Sequence, residues 1–209
     1  MILHGYWRSG TSYRTRIALN LKGVAYQQVA HDLRTGEQRS PAFLALNPQG
    51  LVPTLETNDG AVLTQSPAIL EWLDERYPDP PLLPADLTAR AHVRAMAATI
   101  ACDIHPLNNL RVLNAVKALG GDQAAWTAHW IADGFAALEV MIARHGDGFA
   151  FGATPTLADC HLVPQVYSAE RFGIDLAPNP RLSAAAERAR ALPAVAAAHP
   201  DRQPDADRL

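Results

Sequence analysis

Arg8-Ser-Gly-Thr-Ser-Tyr-Arg-Thr-Arg-Ile-Ala-Leu19 decides how the first half of the chain is read. It follows a strand-like run, Ile2–Trp7, and opens on a turn at Arg8-Ser9-Gly10. Tyr13, Ile17 and Leu21 then recur at i, i+4 and i+8, the spacing of one helix face, and Gly23 is a stop. Tyr26–Ala30 reads as a short second strand. Ser40-Pro41 pairs a capping residue with a proline at the first helical position, which opens a short helix to Leu46. Thr54–Thr57, the Asn58-Asp59-Gly60 turn and Ala61–Thr64 form a hairpin. Ser66-Pro67 repeats the cap-plus-proline start and predicts a helix to Tyr77. The order is β-α-β-α-β-β-α, a small mixed sheet with helices.

The grammar changes near residue 87. Alanine occurs 8 times in residues 1–87 and 30 times in 88–209, so the second part reads as helix throughout. Between the two lies Tyr77-Pro-Asp-Pro-Pro-Leu-Leu-Pro84, stiff and extended because proline fixes φ and lacks a donor. The expected architecture is α/β plus all-α: a first domain over 1–80, a linker at 81–87 and an all-helical domain over 88–209. Val93, Met96, Ala97, Ile100, Ile104 and Leu107 mark one face of a long helix, which Pro106 should kink, freeing backbone groups near Cys102. Trp126, Trp130, Leu138, Met141 and Ile142 supply a second helix. Thr156 and Asp159 have capping-box spacing, with Asp in place of the usual Glu or Gln.

The 209 residues carry a net charge of −3 with only two lysines, Lys22 and Lys117, which argues against a nucleic-acid partner. The longest charge-free stretch, Ser40–Leu55, holds three prolines and cannot build a bilayer helix. The run before Arg8 is too short for the apolar core of a signal peptide. Two cysteines, Cys102 and Cys160, make no disulfide framework, so the expected compartment is the cytoplasm. Both are expected to be buried in helices. Cys102 and His105 would give a metal only two ligands, and no metal is expected.

These elements, in this order, resemble the glutathione transferase superfamily, a thioredoxin-like domain followed by an all-helical one. The opening stretch is similar to the zeta-class signature Arg-Ser-Ser-Cys-Ser-Trp-Arg-Val-Arg-Ile-Ala-Leu of maleylacetoacetate isomerases. Here Gly10 replaces the second Ser and Thr11 replaces the Cys. With Arg16-Ile-Ala-Leu-Asn-Leu-Lys-Gly23 it looks closer still to bacterial glutathione-dependent maleylpyruvate isomerases. Ala45-Leu-Asn-Pro48, Leu51-Val-Pro-Thr-Leu55, Gln65-Ser-Pro-Ala-Ile69, Cys102-Asp-Ile-His-Pro-Leu-Asn-Asn109 and Pro155-Thr-Leu-Ala-Asp159 extend the match over nearly the whole chain.

The resemblance implies a cis bond before Pro53, which would free the N–H and C=O of Val52 to pair with the cysteinyl backbone of glutathione; the local sequence alone would allow an ordinary turn proline. It implies that Gln65 and Ser66, at a helix N-terminus, receive the γ-glutamyl carboxylate. Ser66 is also readable as a plain N-cap. Gln49 and Gln38 match peptide-binding positions, Gln38 at the glycine end, although a solvated loop glutamine would look the same. Ser9 and Thr11 flank the first helix, where a thiolate meets N–H and hydroxyl donors that lower its pKa. Ser9 matches the family serine; Thr11 is either a second donor or the helix cap. Arg8, Arg111 and Arg171 are candidates for a dicarboxylate substrate, because the guanidinium fork suits carboxylates. Arg14 and Arg16 read as structural or surface residues. His105 and Asn109 are expected to contact glutathione or substrate from the helical domain, or else His105 is a core histidine bonded to a freed carbonyl.

With no cysteine at position 11, thiol–disulfide chemistry on the protein is not expected, and the reactive sulfur would come from reduced glutathione. The implied activity is cis–trans isomerisation of maleylpyruvate to fumarylpyruvate by reversible thiolate addition to the C=C bond, in a homodimer. Alternatives are a maleylacetoacetate isomerase of tyrosine breakdown, a general conjugating transferase, and a non-catalytic binding module of the same fold.

Overall fold

The computed structural model describes residues 1–207. The first part of the chain runs β1 (Ile2–Gly5), α1 (Gly10–Leu21), β2 (Gln27–Ala30), α2 (Pro41–Leu46), β3 (Thr54–Glu56), β4 (Val62–Thr64) and α3 (Ser66–Arg76), with a 3-10 turn at Glu37–Arg39 before α2. The sheet order is β2-β1-β3-β4. β1 pairs parallel with β2, Leu3 opposite Gln28, and antiparallel with β3, Leu3 opposite Leu55; β3 and β4 form the hairpin. A parallel pair needs a crossover, and α1 supplies it. The sequence-predicted order of elements is therefore observed, with the strands one or two residues shorter.

Local chemistry explains the boundaries. Ser40 caps α2 by accepting the Phe43 N–H, and Pro41 follows at the first helical position. Leu3, Ile17, Leu19, Leu55, Ile69, Leu70 and Leu73 are fully buried between the sheet, α1 and α3. Every residue of α1 from Ser12 to Leu19 is buried, so the helix is covered on all sides. Arg14 and Arg16 therefore lie in the interior. A buried guanidinium requires acceptors; Arg16 Nη2 donates to the Trp7 carbonyl (2.8 Å) and its Nε to the Ala198 carbonyl (3.1 Å). At the end of α1, Lys22 Nζ joins Asp74 of α3 and the Pro80 carbonyl, both at 2.6 Å.

The second part is helical: α4 (Leu87–Ala98), α5 (Leu110–Ala118), α6 (Gln123–His145), α7 (Leu157–Arg171), α8 (Pro180–Arg190) and α9 (Pro193–Ala197). The single long helix expected through Leu107 is instead three pieces, α4, a π-helical stretch Thr99–Ile104 and a 3-10 turn His105–Asn108. Pro106 has no N–H to return to the Cys102 carbonyl, and the backbone widens ahead of it. Cys160 is buried as expected, but Cys102 is exposed. It sits between buried Ile100 and Ile104 and falls on the opposite face of the widened turn.

The capping box of α7 forms with Asp where Glu or Gln is usual. Asp159 Oδ2 accepts the Thr156 N–H (2.8 Å) and hydroxyl (3.0 Å), and Oδ1 accepts the Ala150 N–H (2.8 Å). Burial pushes the Asp159 carboxyl up to about 6 against the pull of these donors. By contacts, Leu82–Ala191 form one compact unit, and Met1–Pro81 with the chain from Leu192 onward form the other. The sequence division gave everything from residue 88 to the helical domain; α9 and the residues after it pack with the sheet-bearing unit. Arg208 and Leu209 of that division lie outside the described residues.

Candidate active site

Ser9 caps α1: its backbone is extended (φ −68°, ψ 122°), and its Oγ accepts the Ser12 N–H at 3.2 Å. The alternative in which Thr11 caps this helix is thereby corrected, since Thr11 already lies inside the first turn. Thr11 Oγ1 donates to the Val52 carbonyl (2.9 Å) and lies 2.9 Å from Ser9 Oγ. A carbonyl only accepts, so the single Thr11 hydrogen is placed on Val52. The hydrogen between the two hydroxyls is then that of Ser9. The chain of hydroxyls has a direction: Ser9 to Thr11 to Val52.

The Val52-Pro53 bond is cis, and both residues are buried. The Val52 carbonyl is less free than the sequence reading assumed, because Thr11 occupies one of its two lone pairs. Gly50, at φ +61°, stands so close to the loop before α2 that an added Cβ would lie 3.0 Å from the Gln38 carbonyl. That approach brings Gln38 beside the Gln49–Val52 segment. Gln38 Oε1 is buried with no hydrogen-bond partner among the described residues. Gln49 and Gln65, both exposed, meet directly, Gln65 Nε2 donating to Gln49 Oε1 at 2.6 Å.

At the start of α3, Gln65 and not Ser66 is the capping residue, and its side chain makes no capping bond. Gln65 is the sole non-glycine residue with positive φ (66°) among those described, a conformation that costs an ordinary side chain free energy. Ser66 is the first helical residue, and its buried Oγ accepts from Arg14 Nη1 at 3.1 Å. With that lone pair taken by an arginine, the hydroxyl keeps its hydrogen for an acceptor. A buried guanidinium therefore stands behind a helix N-terminus whose first turn holds no acidic residue, which favours an anion. Arg14 was missed from sequence, and no local signal could have found it: its partner is 52 residues away.

Arg8 is half-buried, its guanidinium 5.2 Å from the Trp7 ring centroid. The structure thus gathers two sets of candidates in the sheet-bearing unit: Ser9, Thr11 and Val52 in one hydrogen-bonded chain, with Arg8 next to Ser9, and Gln49, Gln65, Ser66 and Arg14 in linked pairs. The helical unit holds the remaining candidates. His105 opens the 3-10 turn and is half-buried. Asn109 caps α5, its Oδ1 accepting the Arg111 N–H at 3.2 Å. Arg111 itself is exposed in the first turn of α5. Arg171 is exposed at the end of α7, over the rings of Tyr167 (5.8 Å) and Phe172 (5.7 Å). Among the described residues no three His, Cys, Asp or Glu side chains could hold a metal, and no helix is long and apolar enough to cross a membrane.

Comparison with known proteins places this geometry. Residues 8–76 match the family described as glutathione S-transferase, N-terminal domain. The chain is 53% identical to a maleylpyruvate isomerase of Ralstonia sp., covering 98% of this chain and 99% of the relative. It is 51% identical to a maleylacetoacetate isomerase of Pseudomonas aeruginosa, covering 98% of each. Among solved structures, a holo maleylpyruvate isomerase described as a bacterial zeta-class glutathione S-transferase superimposes with TM-score 0.95 at 51% identity, over 99% of this chain and 100% of that one. A maleylacetoacetate isomerase of Methylobacterium extorquens with bound malonate and glutathione superimposes with TM-score 0.94 at 41% identity, over the full length of both.

Proposed function

The chain belongs to the zeta class of glutathione transferases, the family of the maleylpyruvate and maleylacetoacetate isomerases, and from that premise we propose that it is a glutathione-dependent cis–trans isomerase acting on maleylpyruvate. The observation that carries the reading is the directed chain Ser9–Thr11–Val52 at the N-terminus of α1. Residues able to hold glutathione are present: the edge of Val52 before cis-Pro53, Gln49 and Gln65, Ser66 backed by Arg14, and the Oε1 of Gln38, which has no partner among the described residues. Bound glutathione supplies the thiolate that adds reversibly to the substrate double bond and lets it rotate.

The protein's own residues have three tasks. Ser9 turns its hydrogen from Thr11 toward the sulfur, which exchanges one neutral hydrogen bond for a stronger charge-assisted one. The first N–H groups of α1 add to the same stabilisation. Arg8, one residue before Ser9, holds a substrate carboxylate beside the sulfur, and its fork sets the orientation. The Methylobacterium relative was solved with malonate, itself a dicarboxylate, bound together with glutathione, which supports a dicarboxylate as the substrate class. On this reading the protein is a homodimer working in the cytoplasm.

The test is incubation of the protein with glutathione and maleylpyruvate while the enol absorbance is followed. Isomerisation that stops when glutathione is removed is the expected result, and full activity without glutathione overturns the proposal. Maleylacetoacetate is the second reading, favoured by the 51% identical Pseudomonas relative. Rates on the two substrates measured side by side decide between them.

A further inference from the structure

Trp7 separates β1 from the Arg8-Ser9 turn, and the sheet does not reach it. Its ring is buried in an apolar cluster with Tyr6, Phe43 and Val52, against which Ala206 packs. Its backbone is held on both sides. The Trp7 N–H donates to Asp205 Oδ2 at 2.9 Å, across 198 residues of sequence, and Asp205 Oδ1 accepts Gln28 Nε2 at 2.9 Å. The Trp7 carbonyl accepts Arg16 Nη2, and Arg16 in turn donates to the Ala198 carbonyl. Both holds therefore end on the chain that follows Leu192. The turn itself closes by the Ser9 N–H donating to the Tyr6 carbonyl at 3.0 Å. Asp201–Pro204 with Ala206 and Asp207 then face Trp7 and Arg8 across a cavity of about 830 Å³.

The chemistry of this arrangement is specific. A carboxylate accepting two donors from different elements is fixed in direction as well as place, and a charge-assisted bond to a backbone N–H is stronger than a neutral one. Trp7 is immediately followed by the two residues whose placement the reaction needs most. A displacement of about 1 Å in such groups costs on the order of a hundredfold in rate.

We propose that Asp205 is a positioning residue: by taking the Trp7 N–H it fixes the turn bearing Arg8 and Ser9, so that the C-terminal segment sets dicarboxylate affinity and the acidity of the bound thiol. The inference rests on the function proposed above and deepens it, since it names a residue far in sequence that governs the same site. Glutathione affinity is expected to move little, because Val52, Gln65 and Ser66 lie on other elements.

The experiment compares wild type, Asp205→Ala and Asp205→Asn in the full chain, each checked for folding by circular dichroism. The readouts are KM for the dicarboxylate, Kd for glutathione, and the pH titration of the bound thiol followed by thiolate absorbance. Asp205→Ala is expected to raise KM for the dicarboxylate about tenfold and to move the thiol titration to higher pH, with glutathione Kd within about threefold. Asp205→Asn is expected to restore both: its amide oxygen accepts from Trp7, and its N–H is accepted by Gln28 Oε1, which has no partner among the described residues, once the Gln28 amide turns over to replace the donor Nε2 that faces Asp205. Wild-type values in a folded Asp205→Ala, or an Asp205→Asn as impaired as Asp205→Ala, overturn the inference while leaving the functional reading standing. If Asp205→Ala does not fold, Gln28→Ala removes the second donor alone; the same two readouts should move the same way by about twofold to threefold, and wild-type values overturn the inference. A wild type without glutathione-dependent turnover overturns the functional reading, and this inference with it.

Discussion

Replacing Ser9 by Ala and Thr11 by Val separates two hydroxyls that lie 2.9 Å apart and look equally placed to face a thiolate. The hydrogen positions distinguish them. Thr11 already donates to the Val52 carbonyl, whereas Ser9 gives its hydrogen only to Thr11 and can turn it outward by losing one half-buried bond. That loss costs about 1 kcal/mol, and a hydrogen bond to an anion returns about 1.5–3 kcal/mol. The net is about 0.5–2 kcal/mol of thiolate stabilisation, equivalent to a thiol pKa lowered by about 0.4–1.5 units. Ser9→Ala should therefore raise the pKa of bound glutathione by that amount and lower kcat/KM about twofold to thirtyfold at pH values below it. It also removes the α1 cap, for a further stability loss of about 1 kcal/mol. Thr11→Val leaves the cap and the Ser9 donor in place, and its effect on the thiol should be the smaller. Thiolate absorbance against pH, together with kcat/KM profiles, measures both variants. A thiol pKa that moves more in Thr11→Val than in Ser9→Ala would refute the assignment and make Thr11 the thiolate's partner.

Arg8→Lys keeps the charge and loses the fork; KM for the dicarboxylate should rise about tenfold with a lesser change in glutathione Kd, by steady-state kinetics. Cys102→Ser should retain wild-type turnover, and a thiol reagent should modify one cysteine in the native protein and two after denaturation, because Cys102 is exposed and Cys160 buried. Asp159 has its folded pKa raised to about 6 from an ordinary 3.8 by burial, so the native state holds the extra proton between those values. Its contribution to stability is then fully present below about pH 4 and falls as pH rises through about 6. The stability difference between wild type and Asp159→Asn, from denaturant unfolding, should shrink by up to about 3 kcal/mol across that window and stay level above pH 7. A difference that is flat from pH 4 to 7 would show the carboxylate to be ionised throughout.

What could be read from sequence follows the range of the interactions involved. Caps and turns act within a few residues, so Ser40-Pro41, the Asn58-Asp59-Gly60 hairpin and the Thr156–Asp159 box all appear where their residues stand. Ser66 marks the limit of that reasoning. A serine before proline looks like a cap, yet Gln65 takes that position with φ at 66°, and Ser66 is turned inward onto an arginine of another helix. The polarity of Ser9 toward Thr11 was likewise hidden, because it depends on a carbonyl 41 residues beyond Thr11. Arg14 and Arg16 show the same thing from the opposite side: residues two apart point to nearly opposite sides of a helix, and both arginines are buried because acceptors reach them from separate, distant segments. Motif positions fixed which residues to suspect. Their donor and acceptor roles were set by contacts with segments distant in sequence, and those roles separate a thiolate donor from a brace. Asp205 carries this furthest, since nothing near it in the chain hints that its carboxylate ends on the N–H preceding Arg8.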